Sequence, residues 1–370
     1  MNLFWGSSET KTAVSRVETG APVIRELQRK DLELVCSGNG TETQTFYFKL
    51  ENGIFGWVQY AWAKITLATN LQTNVVIYVP GKPTIFETLE AKDVRIQKDK
   101  ISISSKLLSI TWNEDLTDVD VCYNNNNAKG KNLEIDLKFS TKSKGYKVGD
   151  GINQIAGGTA MHTFLPEGKV TAKVTAHEQE FDTSAGLAIY IYARSIGVMP
   201  QNVGAEWNMS LVTGKLQSSE NQAAKSFIFS LMHYITPKKS GSVTISQGAL
   251  IREGKPEVYF WDNEVDSQNH IEYRSSGYLV PRSLIFTLRG KTKDGRAARL
   301  SIHSNPDVFM LEIDILGEMN PILRALVQTF ITKPFIYEWF NNNCVLELTI
   351  EGEETEVLSG SAFHELTFIK

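Results

Sequence analysis

Short runs of residues with strand character, separated by polar turns, recur along nearly the whole chain. Apolar or aromatic residues alternate with polar ones in these runs, which is the period of a β-strand with one buried face. Many such strands argue for antiparallel barrels or sandwiches rather than an α/β fold. The predicted strands are 41–50, 54–62, 74–79, 100–105, 107–112, 133–139, 170–175, 187–192, 226–234, 242–246, 257–261, 284–288, 299–303, 310–315, 345–351 and 365–369.

The length of the chain favours two domains. It has 370 residues, more than a single hydrophobic core usually serves. Glycine and proline punctuate residues 195–204, between two halves that are both rich in predicted strands. We therefore predict an N-terminal domain over 24–197 and a C-terminal domain over 198–370. Each is about the size of one barrel of eight to ten strands.

One segment of the second half has the period of a helix instead. Asn320 suits an N-cap, Pro321 suits the first helical position and Pro334 ends the pattern. We predict a single amphipathic helix here, packed on the outside of a sheet. Its apolar face would be formed by Ile322, Leu323, Leu326, Val327, Phe330 and Ile331.

Charge and cysteine content exclude several classes of protein. The formal net charge is -4 and the sequence pI about 6.0, which argues against a nucleic-acid binder. The three cysteines are far apart and form no C-x-x-C pair, which argues against zinc ribbons, thiol redox sites and a disulfide framework. We find no signal peptide, and no stretch approaches the ~20 apolar residues of a membrane span. The composition therefore predicts an intracellular, soluble protein.

Motifs for metals, nucleotides and nucleophilic catalysis fail on spacing. The His-Glu pairs at 177–178 and 364–365 lack the second histidine that a zinc site on a helix requires. Residues 289–292 (RGKT) lack the earlier glycine of a phosphate-binding loop, and no G-x-S-x-G elbow occurs. We expect no metal, no cofactor and no catalytic residue, although His162, His233 and His270 could each act as a general acid or base.

Polar and aromatic residues mix unusually in the run TETQTFYFKL at 41–50. Alternation puts Glu42 and Gln44 on the same face as Phe46, Phe48 and Leu50. A hairpin at residues 52–53 (Asn-Gly) would bring the next strand alongside. Such a face suits a cavity that orients an amphiphile, with a catalytic pocket and a strand facing water as alternatives. The residues that we expect to bind lipid are Glu42, Gln44, Trp57, Gln59, Trp62 and His162.

The first residues are a candidate membrane contact. Leu3, Phe4 and Trp5 are bulky and precede an uncharged stretch rich in Ser and Thr. Short interfacial anchors rely on a few bulky residues and few charges, so residues 1–20 are predicted to touch a membrane. A docked or frayed terminus is the alternative.

Several stretches, taken together and in order, resemble one family. The chain is similar to the fungal survival-factor family from about residue 30 to the C-terminus, and the ordered set is more specific than any single motif. The stretches are TETQTFYF at 41–48 with WVQ at 57–59, MHTFLP at 161–166, AEWN at 205–208, ITPK at 235–238 with SGS at 240–242, GYLVP at 277–281, DILGEM at 314–319, TKPFIY at 332–337 and FHELTFI at 363–369.

The resemblance implies an all-β chain of two tandem lipocalin-like (calycin) antiparallel barrels. It also implies a non-enzymatic carrier of ceramide or a related sphingolipid between endoplasmic reticulum and Golgi, which supports survival under oxidative stress. Such a carrier would be cytoplasmic and peripheral on those membranes, with the nucleus as a further compartment. Glu167 after the MHTFLP stretch, and Gln201-Asn202, depart from the family pattern.

Two other functions fit the same residues. Relatives of double-calycin architecture include hydratases and cyclases, and an enzyme would need an acid–base pair facing the cavity, such as His162 with a carboxylate. A stress adaptor that acts through protein contacts is the third alternative, and it would need no apolar cavity. The sequence does not indicate which barrel would hold a ligand.

Overall fold

Antiparallel β-sheet makes up nearly all of the regular structure. The computed structural model describes residues 9–65, 68–126, 132–216, 225–317 and 334–369. Contacts within the chain define two compact units. One unit spans 15–200, and the other takes in the described parts of 1–14 and 201–370.

The first unit is built on one long sheet. Its central path runs β5-β4-β3-β2-β14-β13-β10-β9-β8-β7-β6, with β1, β11 and β12 attached beside β13. The strands are β1 (Ile24–Glu26), β2 (Gly40–Leu50), β3 (Phe55–Ile65), β4 (Ala68–Tyr78), β5 (Ile85–Glu90), β6 (Arg95–Ile96), β7 (Ile103–Ser104), β8 (Leu108–Trp112), β9 (Asp118–Asn126), β10 (Asn132–Ser140), β11 (Tyr146–Val148), β12 (Ile152–Ile155), β13 (Gly158–Ala176) and β14 (Gln179–Ile196).

Among the described residues, this sheet curls around a single apolar core without closing its ladder of backbone hydrogen bonds. Ile77 of β4 and Ile103 of β7, far apart along the path, belong to the same buried cluster. Glu87 of β5 accepts hydrogen bonds from Tyr123 of β9 at 2.5 Å and from Asn125 at 2.9 Å. Side chains therefore bridge strands that share no ladder, and the unit is a half-barrel.

Two hairpins in this unit show how local sequence sets the turns. The predicted turn joins β2 to β3, where Gly53 has a φ of 91° that glycine adopts without strain. Only His177 and Glu178 separate β13 from β14, and both have positive φ, 53° and 60°. Two successive positive φ angles define a type I′ turn. This His-Glu pair therefore forms a tight turn.

The second unit forms a closed barrel. A helical turn, α1 (Pro200–Val203), precedes its first strand, and a short 3₁₀ turn spans Lys238–Ser240. The strands are β15 (Glu206–Lys215), β16 (Ser226–Ile235), β17 (Thr244–Arg252), β18 (Val258–Gln268), β19 (Ile271–Tyr273), β20 (Tyr278–Val280), β21 (Ser283–Thr292), β22 (Ala297–Ser304), β23 (Val308–Asp314), β24 (Phe335–Ile350) and β25 (Glu356–Phe368).

Strand β24 closes this barrel because it is long enough to pair with two different strands on one side. Its first half pairs with β23 and its second half with β22, while β25 lies along its other side. A bulge between Asn341 and Cys344 separates the halves. The ring β22-β21-β18-β17-β16-β15-β25-β24 thus contains 8 strands, and β19 and β20 form a separate hairpin.

The predicted fold class is confirmed. The chain is all-β, with a closed barrel of 8 strands and a half-barrel. The predicted amphipathic helix over 320–333 lies outside the described residues. In the part of the chain that the structure describes, no helix has the length and apolar character needed to cross a membrane.

Candidate functional site

One cavity lies at one end of the closed barrel. It has a volume of about 490 Å³ and is bordered by the start of β15, the ends of β16, β18 and β25, and the β19–β20 hairpin. Its lining is mainly apolar and aromatic. The residues around it are Glu206, Trp207, Asn208, His233, Ile235, Val265, Ser267, His270, Gly277, Tyr278, Leu279, Pro281, Leu284, Leu366 and Phe368.

Aromatic packing shapes the wall of this pocket. Tyr278 of the hairpin stacks on Phe368 of β25, with ring centroids 5.0 Å apart. Trp207 of β15 stacks on Tyr234 of β16 at 4.2 Å, on the opposite face of these strands from Asn208 and His233. The contact between Tyr278 and Phe368 ties the hairpin to the barrel and gives the pocket an aromatic wall of the kind that holds apolar ligands.

Two neutral polar side chains adjoin each other in the pocket. Asn208 of β15 and His233 of β16 are directly opposite in the strand register, and both are nearly buried. Burial lowers the pKa of His233 to about 4, so the imidazole is uncharged at neutral pH. Lysine and arginine do not occur among the lining residues that the structure describes. The pocket therefore offers hydrogen bonds without a positive charge.

Buried polar side chains support this pair from behind. Ser210 lies 2.9 Å from both Asn208 and His364, and Ser304 lies 2.6 Å from the other nitrogen of His364. Asn341 donates to Ser304 at 2.9 Å. Burial lowers the pKa of His364 to about 3, so this histidine is also neutral. An uncharged chain of hydrogen bonds thus crosses β15, β25, β22 and β24.

A second polar group lies behind His233. Ser246 of β17 is 3.2 Å from its Nδ1 atom, and Asn263 of β18 donates to Ser246 at 2.8 Å. The Oδ1 atom of Asn263 is buried and has no hydrogen-bond partner among the described residues. Asn208 is therefore held by Ser210 on its own strand, and His233 by Ser246 on the neighbouring strand β17.

The sequence-predicted lipid-binding residues lie in the other unit, and two of them fasten loops there. Glu42 and Gln44 face the core of the half-barrel and are 1% and 0% exposed. The carboxyl group of Glu42 accepts the backbone N–H groups of Val35 and Cys36. Gln44 donates to the carbonyl of Ile101 at 2.8 Å. These contacts bind protein segments to the inner face of the sheet.

The other predicted residues divide between the two faces of that sheet. Trp62 joins the core cluster, directly opposite Glu42. Trp57 and Gln59 point to the opposite face because side chains alternate along β3. Gln59 there donates to Thr45 and accepts from Asn74, each at 2.9 Å. The six residues therefore do not line one cavity.

His162 also lies on the outer face of the half-barrel. Its neighbour Met161 belongs to the core cluster, so His162 points the other way, with its ring 6.5 Å from that of Phe164. Burial lowers the pKa of His162 to about 4. The predicted membrane-contact residues Leu3, Phe4 and Trp5 lie outside the described residues.

Comparison with known proteins decides the family. The Svf1 family profile matches residues 4–370. The chain belongs to the Svf1 family. The match covers both units, so it is not confined to one barrel.

Relatives of this Svf1-family chain are similar over nearly their whole length. Survival factor 2 of Schizosaccharomyces pombe is 24% identical over 92% of this chain and 94% of its own. The ceramide-binding protein svf1 of Emericella nidulans is 24% identical, covering 96% of this chain and 93% of its own.

Solved structures support the fold of this Svf1-family member. CghA in complex with Sch210972 superposes with a TM-score of 0.61 at 10% identity, covering 94% of this chain and 99% of that one. Kievitone hydratase from Nectria haematococca gives a TM-score of 0.51 at 11% identity, covering 93% of each chain. At such low identity the likeness concerns the fold alone.

Four of the stretches that carry the family resemblance meet at the pocket. AEWN at 205–208, ITPK at 235–238, GYLVP at 277–281 and FHELTFI at 363–369 all contribute lining residues. Sequence reasoning named His233 as a possible acid or base but missed Asn208 as a site residue. The signal was present, because Asn208 lies within AEWN and pairs with the strand that carries His233. Only the register brings the two together.

Proposed function

We propose that this Svf1-family protein binds ceramide or a related sphingolipid in the pocket of its C-terminal barrel, without converting it. The observation that carries the proposal is an apolar pocket of about 490 Å³ whose buried polar side chains, Asn208 and His233, are both uncharged. Its volume falls within the range of about 300–1,000 Å³ common for small-molecule sites. Relatives named as ceramide-binding proteins support the same ligand.

The chemistry of ceramide suits such a pocket. Its hydrocarbon chains need an environment that excludes water, and burying them supplies most of the binding free energy. Its amide and hydroxyl groups lose water on entry and need hydrogen-bond partners in return. The uncharged side chains of Asn208 and His233 satisfy these groups without attracting a charged head group. We extend the proposal to transfer of this lipid between endoplasmic reticulum and Golgi and to survival under oxidative stress. The relative named survival factor 2 supports a role in survival.

The decisive experiment uses a substitution that fills the pocket with a larger side chain. Val265→Trp adds bulk at a half-buried lining position, and Val357→Trp adds the same bulk at an exposed position of β25. We expect the unaltered protein and Val357→Trp to extract fluorescent ceramide from liposomes, and Val265→Trp to lose at least tenfold in affinity. Equal extraction by both variants, with both folded by circular dichroism, would place ceramide elsewhere or nowhere in this protein.

The same experiment distinguishes a carrier from an enzyme. A hydratase has this fold, so the recovered lipid must be compared with the input by mass spectrometry. We expect an unchanged mass. Of the acid–base candidates, His162 lies on the outer face of the half-barrel. His233 lines the pocket, but its Nδ1 contacts Ser246 rather than a carboxylate. A mass shift of one water would favour the enzyme. Failure to bind any lipid would favour the stress adaptor.

Delivery to a membrane is proposed for the N-terminal segment. Leu3, Phe4 and Trp5 supply bulky apolar side chains next to an uncharged stretch. We expect the double variant Phe4→Glu with Trp5→Glu to lose sedimentation with small, highly curved liposomes while keeping the ceramide affinity of the unaltered protein. Unchanged sedimentation would show that this segment is not the anchor. In cells, the location to test is the cytoplasmic surface of endoplasmic reticulum and Golgi.

A further inference from the structure

We propose that Asn208 and His233 form a carbonyl-binding pair, in which both side chains are held as hydrogen-bond donors toward the ligand. This inference rests on the proposed function and names the chemical group that the pocket recognises. It predicts a preference for long-chain lipids that carry an acyl carbonyl, such as an N-acyl amide. The argument depends on the direction of each buried hydrogen bond behind the pair.

The longer chain of hydrogen bonds runs from Asn341 through Ser304, His364 and Ser210 to Asn208. The donors and acceptors at its Asn341 end are fixed by a backbone contact. The backbone N–H of Asn343 donates to Oδ1 of Asn341 at 2.9 Å, which turns the Nδ2 group of Asn341 toward Ser304. Asn341 donates there, so Ser304 accepts with its oxygen and keeps its own hydrogen free to donate. The partner for that hydrogen is Nε2 of His364, at 2.6 Å.

The Asn208 end of the chain gives the same assignment of donors and acceptors. Ser210 has one hydroxyl hydrogen, which it donates to Oδ1 of Asn208 at 2.9 Å. Its contact with Nδ1 of His364 must therefore use the hydrogen of the imidazole. A neutral imidazole carries one hydrogen, so Nδ1 donates and Nε2 accepts, which agrees with donation from Ser304. Because Oδ1 of Asn208 is occupied from behind, its Nδ2 hydrogens remain for the pocket.

A shorter chain orients His233 in the same way. Asn263 donates to Ser246, and we assign the hydroxyl hydrogen of Ser246 to Nδ1 of His233, the other polar atom in contact with it among the described residues. The single hydrogen of this neutral imidazole then lies on Nε2. Asn208 and His233 are cross-strand partners that line the pocket, and each presents N–H to it. Two adjacent donors match the two lone pairs of one carbonyl oxygen.

The pocket as a whole disfavours the charged relatives of such a lipid. A free long-chain base offers an ammonium group, which has no lone pair to accept from either donor of the pair. A fatty acid offers a carboxylate that the pair could bind, but the only formal charge beside it among the described lining side chains is the carboxyl of Glu206, of the same sign. An uncharged acyl amide avoids both conflicts. The pair and Glu206 together therefore favour the acylated lipid over its two charged components.

The test replaces the carbonyl oxygen and leaves the shape of the lipid nearly unchanged. Full-length protein is titrated with fluorescent ceramide and with its thioamide analogue, in which sulfur, a weaker acceptor, replaces that oxygen. We expect the unaltered protein to bind the amide about tenfold more tightly, the effect of losing about two neutral hydrogen bonds. We expect His233→Phe and Asn208→Leu to reduce this ratio to near one, and the free base and the fatty acid to bind more weakly than ceramide.

A buried positioning residue supplies the control. Ser210→Ala removes the hydroxyl that orients Asn208 without touching the pocket, and Ser230→Ala removes an equally buried hydroxyl from the outward side of β16. We expect only Ser210→Ala to lower the amide-to-thioamide ratio. Equal binding of both lipids by the unaltered protein would overturn this inference alone. Binding of neither would overturn the proposed function with it.

Discussion

The carboxyl group of Glu42 accepts the backbone N–H of Val35 at 2.9 Å and so fixes a loop to the inner face of β2. Burial raises the pKa of Glu42, and the two backbone donors and nearby Arg194 act against that effect. The residue that looked like a ligand contact in the sequence is therefore a structural anchor. Leu32 and Leu34, which precede Val35 in this loop, belong to the core cluster of the half-barrel.

Replacing this anchor should loosen the loop. Glu42→Gln keeps the size of the side chain but exchanges one acceptor for an NH₂ group that opposes a backbone donor. We expect a loss of about 2 kcal/mol in the free energy of unfolding, and faster amide hydrogen exchange at Val35 and Cys36. Glu51→Gln, at an exposed turn, is the control. Unchanged exchange at both amides would contradict the anchoring role.

A buried hydroxyl in the same unit should be dispensable. Thr73 of β4 is 1% exposed, and its Oγ1 has no hydrogen-bond partner among the described residues. Thr73→Val replaces this group by a methyl of similar size, so we expect a gain of about 1 kcal/mol in unfolding free energy by urea denaturation. Thr45→Val should instead cost about 1 kcal/mol, because Thr45 accepts from Gln59. Equal effects would refute the distinction.

Stability should fall in mild acid because of the buried histidines. The folded-state pKa values of His364 and His233, about 3 and 4, lie below the ~6.5 of an unfolded chain. Between these limits the unfolded chain binds protons that the folded chain does not, so stability is complete above pH ~6.5 and declines as pH falls. Each histidine contributes up to about 1.4 kcal/mol per pH unit to this slope.

Removing one histidine measures its share of that slope. We expect His364→Gln to flatten the dependence of unfolding free energy on pH between about 6 and 4.5 by nearly one proton. His303→Gln, at an exposed position on β22, is the control. The slope is the relevant quantity, because the glutamine variant also alters stability at neutral pH. Parallel curves for His364→Gln and the unaltered protein would contradict the assignment.

A glycine in the turn between β13 and β14 should raise the stability of the protein. Glu178 has a φ of 60°, a conformation that costs about 1 kcal/mol for a residue with a Cβ atom and little for glycine. We expect Glu178→Gly to stabilise the protein by roughly that amount in thermal unfolding. Glu180→Gly, two residues on in β14, should destabilise it instead. A loss of stability from both substitutions would show that the turn is not strained.

Much of the fold followed from alternation, since each short strand carries its own pattern of apolar residues. Phe46, Phe48 and Leu50 face the core with Glu42 and Gln44, as the spacing predicted. The error of grouping Trp57 and Gln59 with them came from register. Thr45 pairs with Gln59, so odd positions of β2 meet odd positions of β3. Turn geometry decides this register, which cannot be deduced from the types of residue in the two strands.

The pocket was harder to predict because its residues come from distant strands. Asn208 and His233 have ordinary strand contexts, and neither spacing nor composition distinguishes them from surface residues. Their role appears only when β15 pairs with β16 and His364 is brought up behind Ser210. These contacts join residues as far apart in sequence as Ser210 and His364, so no local pattern records them.

The pairing of β15 with β25 also determines when the pocket forms during folding. These are the first and last strands of the barrel, and both line the pocket. Contacts between such distant segments form late and slowly, because a long loop must close before they gain any stability. During synthesis, the pocket cannot be complete until β25 has left the ribosome. Until then, the apolar strands of the unfinished barrel lack their last partner and are exposed to aggregation.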